Sequence, residues 1–306
     1  MSTLSQFFPA GGSVPSNAIP IQLLVVGGGG GATSGSSNQM VGGSGAGRYI
    51  HIANAYVIPS VAYSVIIGAG GSSGNGSESS FGSLIIAPGG AGGTFQATPG
   101  VGGSGAGGGM NWGNITYYPQ TPLRPGAILA PLANGSVSSK IYFGPDTVIE
   151  NLGHQGAPGV YASNAYWAGA GGGAGGTAFP GGSSGGANQN VYSYASAPGS
   201  SVANDITGSL KYYAGGGGGS SSTTVFSTFS TTVAMAASRS NGAVNTGGGS
   251  GGALNVESFT GGSGVVVVAY STAYSSASTT GSPSTPARSG FRVYEFTGSG
   301  TITFAL

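Results

Sequence analysis

The feature that most restricts the fold is a recurring junction at which a β-branched run passes directly into a block of glycine. Ile21 to Val26 (IQLLVV) enters Gly27 to Gly31. Tyr63 to Ile67 enters Gly68-Ala-Gly-Gly71, Ser83 to Ile86 leads to Gly89-Gly-Ala-Gly-Gly93, and Leu210 to Tyr213 leads to Gly215 to Gly219. The order reverses near the end, where Gly261-Gly-Ser-Gly264 feeds Val265 to Tyr270. The apolar runs have the length and β-branched content of buried strands. Glycine clusters also recur at 42–47, 100–109, 169–176, 181–186 and 247–252.

Two readings of the glycines follow. Glycine loses the most backbone entropy on ordering, so glycine tracts commonly serve as flexible linkers. Polyproline II offers an ordered alternative, because its backbone groups all point outward and neighbouring segments without side chains approach closely enough to bond them to one another. Collagen is excluded, since no strict Gly-X-Y period is kept. In a bundle of polyproline II segments alone, the valine and isoleucine strands would be superfluous. The expected fold is therefore mainly β, a short-stranded sheet or sandwich with polyglycine II-like segments and almost no helix.

Composition supports order over disorder. The 66 glycines and 16 prolines among 306 residues fall in the range of low-complexity chains, but 15 Tyr, 12 Phe and 2 Trp supply apolar surface that disordered chains lack. Seven Lys and Arg against six Asp and Glu leave a net charge of +1. With no basic cluster, no nucleic-acid partner is expected. The absence of cysteine removes disulfides and thiolate chemistry. Neither Leu23 to Val26 nor Val265 to Tyr270 is long enough to span a bilayer, so no membrane insertion is expected. The N-terminus shows no basic n-region followed by an apolar h-region, so synthesis in a cytoplasm without a signal peptide is expected.

Residues 1–20 are punctuated by Pro9, Pro15 and Pro20 and read as an arm, with Leu4, Phe7 and Phe8 as its large apolar group. It either docks on a partner or folds back on its own domain. Residues 21–306 form one glycine-rich β/polyglycine domain, ending in a hairpin over 291–304 with the turn at Gly298-Ser-Gly300. Alternation puts Tyr294 and Phe296 on one face, and Ile302 and Phe304 on one face of the second strand. Only Thr231 to Ser238 admits a helical turn. The irregular spacing of the units excludes a solenoid of fixed repeat.

Catalytic signatures are weak. Asp146 and Glu150 are the only acids close in sequence, and they read as decoration of a turn and a strand end. His51 and His154 are the only imidazoles, with no spacing that suggests a metal site. Gly248-Gly-Ser250-Gly-Gly252 matches the nucleophile-elbow pattern and several GxGxxG matches occur, but so glycine-rich a chain produces such matches by chance. No catalytic residue, metal or cofactor is expected. The informative polar segments are aromatic insertions between glycine clusters, carrying Trp112, Tyr117, Tyr118, Tyr161, Tyr166, Trp167, Tyr192, Tyr194, Phe226 and Phe229. Tyr and Trp among Ser and Asn suit recognition loops, since rigid amphipathic rings give contact area at low entropy cost. The same rings equally suit packing between layers or a subunit contact.

The runs LLVVGGGGG at 23–31, VIIGAGG at 65–71, SSFG at 79–82, YAGGGGG at 213–219 and GSGVVVVAY at 262–270 resemble the glycine-rich domains of bacteriophage tail-fibre and other virion proteins. The closing VYEFTGSGTITF at 293–304 is similar to a hairpin of that family, although there it often precedes the glycine-rich part. The resemblance implies a virion-surface protein that is not an enzyme, with glycine segments as scaffold and loops facing a host-surface glycan or protein. It also implies attachment to other virion proteins through the N-terminal arm, and a homotrimer by the habit of fibres. A tail fibre or tail-tip adhesin is the leading expectation. A capsid decoration protein is the second, and an ice-binding or extracellular structural protein the third.

Overall fold

The computed structural model describes residues 14–34, 39–93, 102–111, 127–128, 141–162, 165–180, 182–184, 192–194, 196–221, 235–237 and 239–306. Among them there is no helix, and the strands form antiparallel sheets. The stretch given a helical turn, 231–238, is described only at 235–237, which are not helical.

Two sheets build a sandwich. The first has the strand order Ile141–Leu152, Tyr49–Val57, Ile19–Val26, Val265–Ser271, Phe291–Phe296. The second runs Ser278–Thr279, Gly300–Thr303, Ala62–Ile66, Ser79–Phe81, Ile85–Ala87, Ala127–Ile128. Side chains alternate along each strand. Ile19, Ile21, Leu23 and Val25 therefore enter the core between the sheets, while Leu24 and Val26 enter a second core with Tyr49, Ile206, Tyr213, Val265, Val267 and Val293. Because both faces are covered, these strands read as continuous apolar runs. Each fully buried Leu or Val contributes roughly 1.5–3 kcal/mol.

An aromatic cluster closes the inner core. Tyr63 stacks on Phe81 at 5.4 Å, Tyr270 stacks on Tyr294 at 6.0 Å, and Phe304 meets Tyr63 and Tyr270 edge-on at 5.8 and 5.4 Å. Burial pushes the Tyr63 phenol up to about 12, although the Ile58 N–H donates to its oxygen at 2.8 Å.

Two expectations need correction. Residues 291–304 do not form a hairpin: Phe291–Phe296 pairs with Val265–Ser271 in the first sheet, and Gly300–Thr303 pairs with Ala62–Ile66 in the second. The glycine turn carries the chain from one sheet to the other. Tyr294, Phe296, Ile302 and Phe304 do share the inner core, so alternation fixed their faces without fixing their partners. Ile19 and Pro20, assigned to the N-terminal arm, instead pair with Val57 and Tyr56 in the first sheet.

Apart from the strand Gly182–Ser184, the described glycine tracts form a lattice of extended rods. In the rod 41–48, the amides of Val41, Ser44 and Gly47 donate to Ala253, Ser250 and Gly247. Gly43 and Ala46 donate to Gly169 and Gly172, and Gly45 and Arg48 to Ala91 and Pro88. Every third residue addresses the same neighbour, as a helix with three residues per turn requires. The same rod accepts from Gly27 and Gly30, from Ser104 and Gly107, and from Gly217. It is thus surrounded by six rods: 27–31, 88–93, 102–108, 168–175, 214–220 and 247–253.

Glycine is required here by close approach. A Cβ on Gly43 would land on the Gly217 carbonyl. Within the central rod and the six around it, small side chains interrupt the glycines: Ser44, Ala46, Ser104, Ala106 and Ser250 are all fully buried. Ser44 Oγ lies 3.1 Å from Ser250 Oγ and accepts the Gly93 N–H at 3.1 Å. Arg48 ends the central rod beneath the sandwich. Its Nε donates to Asn151 Oδ1 at 2.6 Å, and its two terminal nitrogens donate to the carbonyls of Asn151 at 2.8 Å and Gly103 at 3.3 Å. Burial lowers the pKa of this guanidinium.

Candidate functional site

The strands fix one end of the lattice. Rods leave or enter the sandwich at Gly27, Arg48, Gly68, Pro88, Gly153 and Gly264. Hydrogen-bond register then identifies the opposite, distal end: Gly31 bonds to Gly74, Val41 to Ala253, Gly108 to Ala157 and Ala168 to Ser220. Chain segments that leave the lattice there pair in short two-stranded ribbons.

The aromatic insertions depart from this distal end. Val160–Ala162 pairs with Ala165–Trp167 in a short ribbon joining rods 153–158 and 168–175, with Tyr161 opposite Tyr166. Gly182–Ser184 pairs with Tyr192–Tyr194 in a second ribbon that adjoins the first. It starts beyond Phe179, which bridges Ala197, and returns at Ser196, whose Oγ donates to the Ala168 carbonyl at 2.9 Å. Trp112, Tyr117, Tyr118, Phe226 and Phe229 lie outside the described residues, as do Leu4, Phe7 and Phe8. The residues that lead to the first two groups are at the distal end: Met110–Asn111 pairs with Gln39–Met40, and Ser221 bridges Trp167.

Trp167 is not available as a surface contact. It is 1% exposed, and its Nε1 has no hydrogen-bond partner among the described residues. Ala168, the next residue, is the first of a lattice rod, so Trp167 fills the scaffold's end. Of the two readings of the aromatic segments, packing within the chain holds for this ring.

Phe179 escaped the sequence reading. It is 65% exposed at the base of the second ribbon. The available signal was a lone aromatic between Gly176 and Gly181, braced by Pro180.

Beside the ribbons, residues 254–259 make a second feature of the same end. Asn255 has φ 54°, and Val256 is 77% exposed. Glu257 closes the turn by accepting the Leu254 N–H at 3.2 Å, and it pairs with the Arg239 guanidinium. The hydrogen bonds from Arg239 hold the Glu257 carboxyl below the usual carboxylate range. Ser258–Phe259 pairs with Ala32–Thr33, and Thr33 Oγ1 and Ser258 Oγ lie 2.8 Å apart, each 3.2 Å from the Ser72 carbonyl.

The titratable residues considered for chemistry lie elsewhere. Asp146 sits in a bulge of the edge strand Ile141–Leu152, where the pairing jumps between Phe143 and Val148 and Thr147 Oγ1 donates to the Asn54 carbonyl at 2.8 Å. Glu150 faces His51 on the neighbouring strand, 3.3 Å from its Nδ1. Among the described residues no group of three potential metal-ligating side chains comes together. At the distal end the described residues thus set two short ribbons and the 254–259 turn on the ends of hydrogen-bonded rods.

No curated protein and no solved structure matches the chain. A family model described as a glycine-rich domain matches residues 9–271, which takes in most of the sandwich and the lattice, and the chain belongs to that glycine-rich domain family.

Proposed function

We propose that the chain is a virion-surface protein of a bacteriophage, a tail fibre or tail-tip adhesin that uses the distal end of its lattice to contact the host surface. The observation that carries this reading is the shared origin of the aromatic insertions. Rods from distant parts of the sequence deliver them to one end of a backbone-bonded block. Such a block fixes the points from which the insertions depart, and a fixed base lowers the entropy lost on binding. In this reading the sandwich and the N-terminal arm, with Leu4, Phe7 and Phe8, face the particle. A homotrimer and a glycan or protein receptor belong to the same proposal, as does the absence of enzymatic activity.

Labelled antibody against the chain, imaged on intact particles, tests the location. A few copies at the tail tip support the adhesin. Tens to hundreds of copies over the head transfer the chain to capsid decoration. Replacing 182–194 by a short glycine turn is expected to abolish adsorption while leaving assembly intact. Unchanged adsorption would remove the receptor role.

A further inference from the structure

The lattice creates two chemically reactive dipeptides and then shields them. Its rods demand glycine where backbones touch: a Cβ on Gly76 would land on the Gly28 carbonyl, and one on Gly242 on the Gly248 carbonyl. Each of these glycines follows an asparagine, Asn75 and Asn241. Asparagine is a thermolabile residue. It is most so before glycine, because no side chain obstructs the approach of the glycine nitrogen to the asparagine Cγ. A third such pair, Asn134-Gly135, lies outside the described residues.

The reaction has two parts. The glycine amide gives its proton to a solvent base and its nitrogen bonds to Cγ; the Cγ–Nδ2 bond then breaks, and Nδ2 takes up a proton and leaves as ammonia. Water next opens one of the two C–N bonds of the succinimide ring, which yields aspartate or isoaspartate. Water is the only co-reactant. The first part needs a glycine N–H free of hydrogen bonds and an asparagine side chain free to turn its Cγ towards that nitrogen.

Both needs are blocked at both sites. The Gly76 N–H donates to the Gly90 carbonyl at 2.9 Å, while Asn75 Oδ1 accepts the Gly92 N–H at 2.9 Å. Side chain and backbone of this pair are thus tied to the same rod, 88–93. The Gly242 N–H donates to the Thr260 carbonyl at 2.8 Å, and Asn241 Oδ1 accepts the Thr260 N–H at 2.9 Å. Here one residue clasps both halves of the pair. Asn75 and Asn241 are exposed, so water and base reach them. Hydrogen bonding, and not burial, withholds the reaction.

We propose that Asn75 and Asn241 are self-modification sites, silent in the closed lattice and converted to aspartate or isoaspartate when their rods separate. The two products differ in consequence. Aspartate keeps an oxygen where Oδ1 stood. Isoaspartate adds a methylene to the main chain, and a rod that addresses each neighbour through every third residue then cannot recover its register. Opening is recorded irreversibly. Nothing in this depends on where the protein acts.

The test holds the full chain at mildly alkaline pH, folded and in concentrated urea, and follows both asparagines by peptide mapping with isoaspartate detection. In urea the two should react at a common rate. In the folded protein each should react at least about tenfold more slowly, because only locally opened molecules are competent. Hydrogen exchange at the Gly76 and Gly242 amides should be slowed alongside, since the same proton has to leave. Thr260→Pro removes the N–H that holds Asn241 Oδ1. In molecules of this variant that keep the parental circular dichroism, Asn241 should react faster and Asn75 at its former rate. A folded-state rate less than about tenfold below the urea rate at either site overturns the proposal, and so does unprotected exchange at Gly76 or Gly242. An unchanged Asn241 rate in Thr260→Pro, or equal acceleration at both sites, overturns the assignment of protection to these bonds.

Discussion

Gly43→Ala probes the lattice in the rod that six others surround. The added methyl would overlap the Gly217 carbonyl, and the three atoms nearest to it are all backbone. No flexible side chain can give way, so the rods themselves must separate. Three hydrogen bonds meet at this point: Gly43 N–H to Gly169 at 2.9 Å, Gly107 N–H to the Gly43 carbonyl at 2.8 Å, and Gly217 N–H to Ser44 at 3.0 Å. A buried backbone group left unpaired costs about 1–3 kcal/mol, so disrupting two or three of them costs roughly 2–9 kcal/mol. Restricting the unfolded chain returns only about 0.4–1 kcal/mol. The net expectation is a loss of several kcal/mol, large against the 5–15 kcal/mol typical of whole domains. Gly298→Ala is the control, because nothing lies within 4 Å of its added methyl. It should be neutral or slightly stabilising. Urea denaturation followed by circular dichroism measures both. A Gly43→Ala variant within about 1 kcal/mol of the parent, or indistinguishable from Gly298→Ala, would refute the close-packed lattice.

Other perturbations address the junction, the cores and the distal end. Arg48→Gln removes charge-assisted bonds that tie the rod at Gly103 to the strand at Asn151, and should cost about 2–4 kcal/mol in urea melts. Burial raises the phenol of Tyr63 to about 12 and lifts those of Tyr49, Tyr213 and Tyr270 as well. A raised folded-state pKa means stability that is complete below about pH 10 and lost as pH climbs through the folded value; tyrosinate absorbance and circular dichroism should therefore change together above pH 10 in one cooperative step. Glu257 is displaced the other way, so its contribution is present above about pH 4.3 and is lost as pH falls through its lower folded value. Faster hydrogen exchange at Leu254 under acid, absent in Glu257→Gln, would show it. Phe179→Ser alters an exposed ring and should leave stability within about 0.5 kcal/mol, while reducing adsorption of particles that carry the chain.

The strand-to-glycine junctions were legible because both halves carry a local signal. β-Branched runs favour strands, and a block of residues without Cβ marks backbone that approaches other backbone. Strict alternation likewise assigned Tyr294, Phe296, Ile302 and Phe304 to a common apolar side. Their membership of opposite sheets was not legible, because alternation records the face of a residue and says nothing of its neighbour across the ladder. Trp167 misled for a similar reason: Tyr and Trp among Asn and Ser describe a recognition loop and a capped rod end equally well. The six neighbours of rod 41–48 lie furthest from sequence reasoning. Glycine has no side chain with which to encode a partner, and the bonds run between residues as distant as Gly43 and Gly217. The sequence by itself determined that glycine segments would serve as scaffold beside a β core. Only the tertiary structure decided which rods meet and at which end the aromatic segments emerge, because those choices rest on backbone hydrogen bonds that are the same for every residue type.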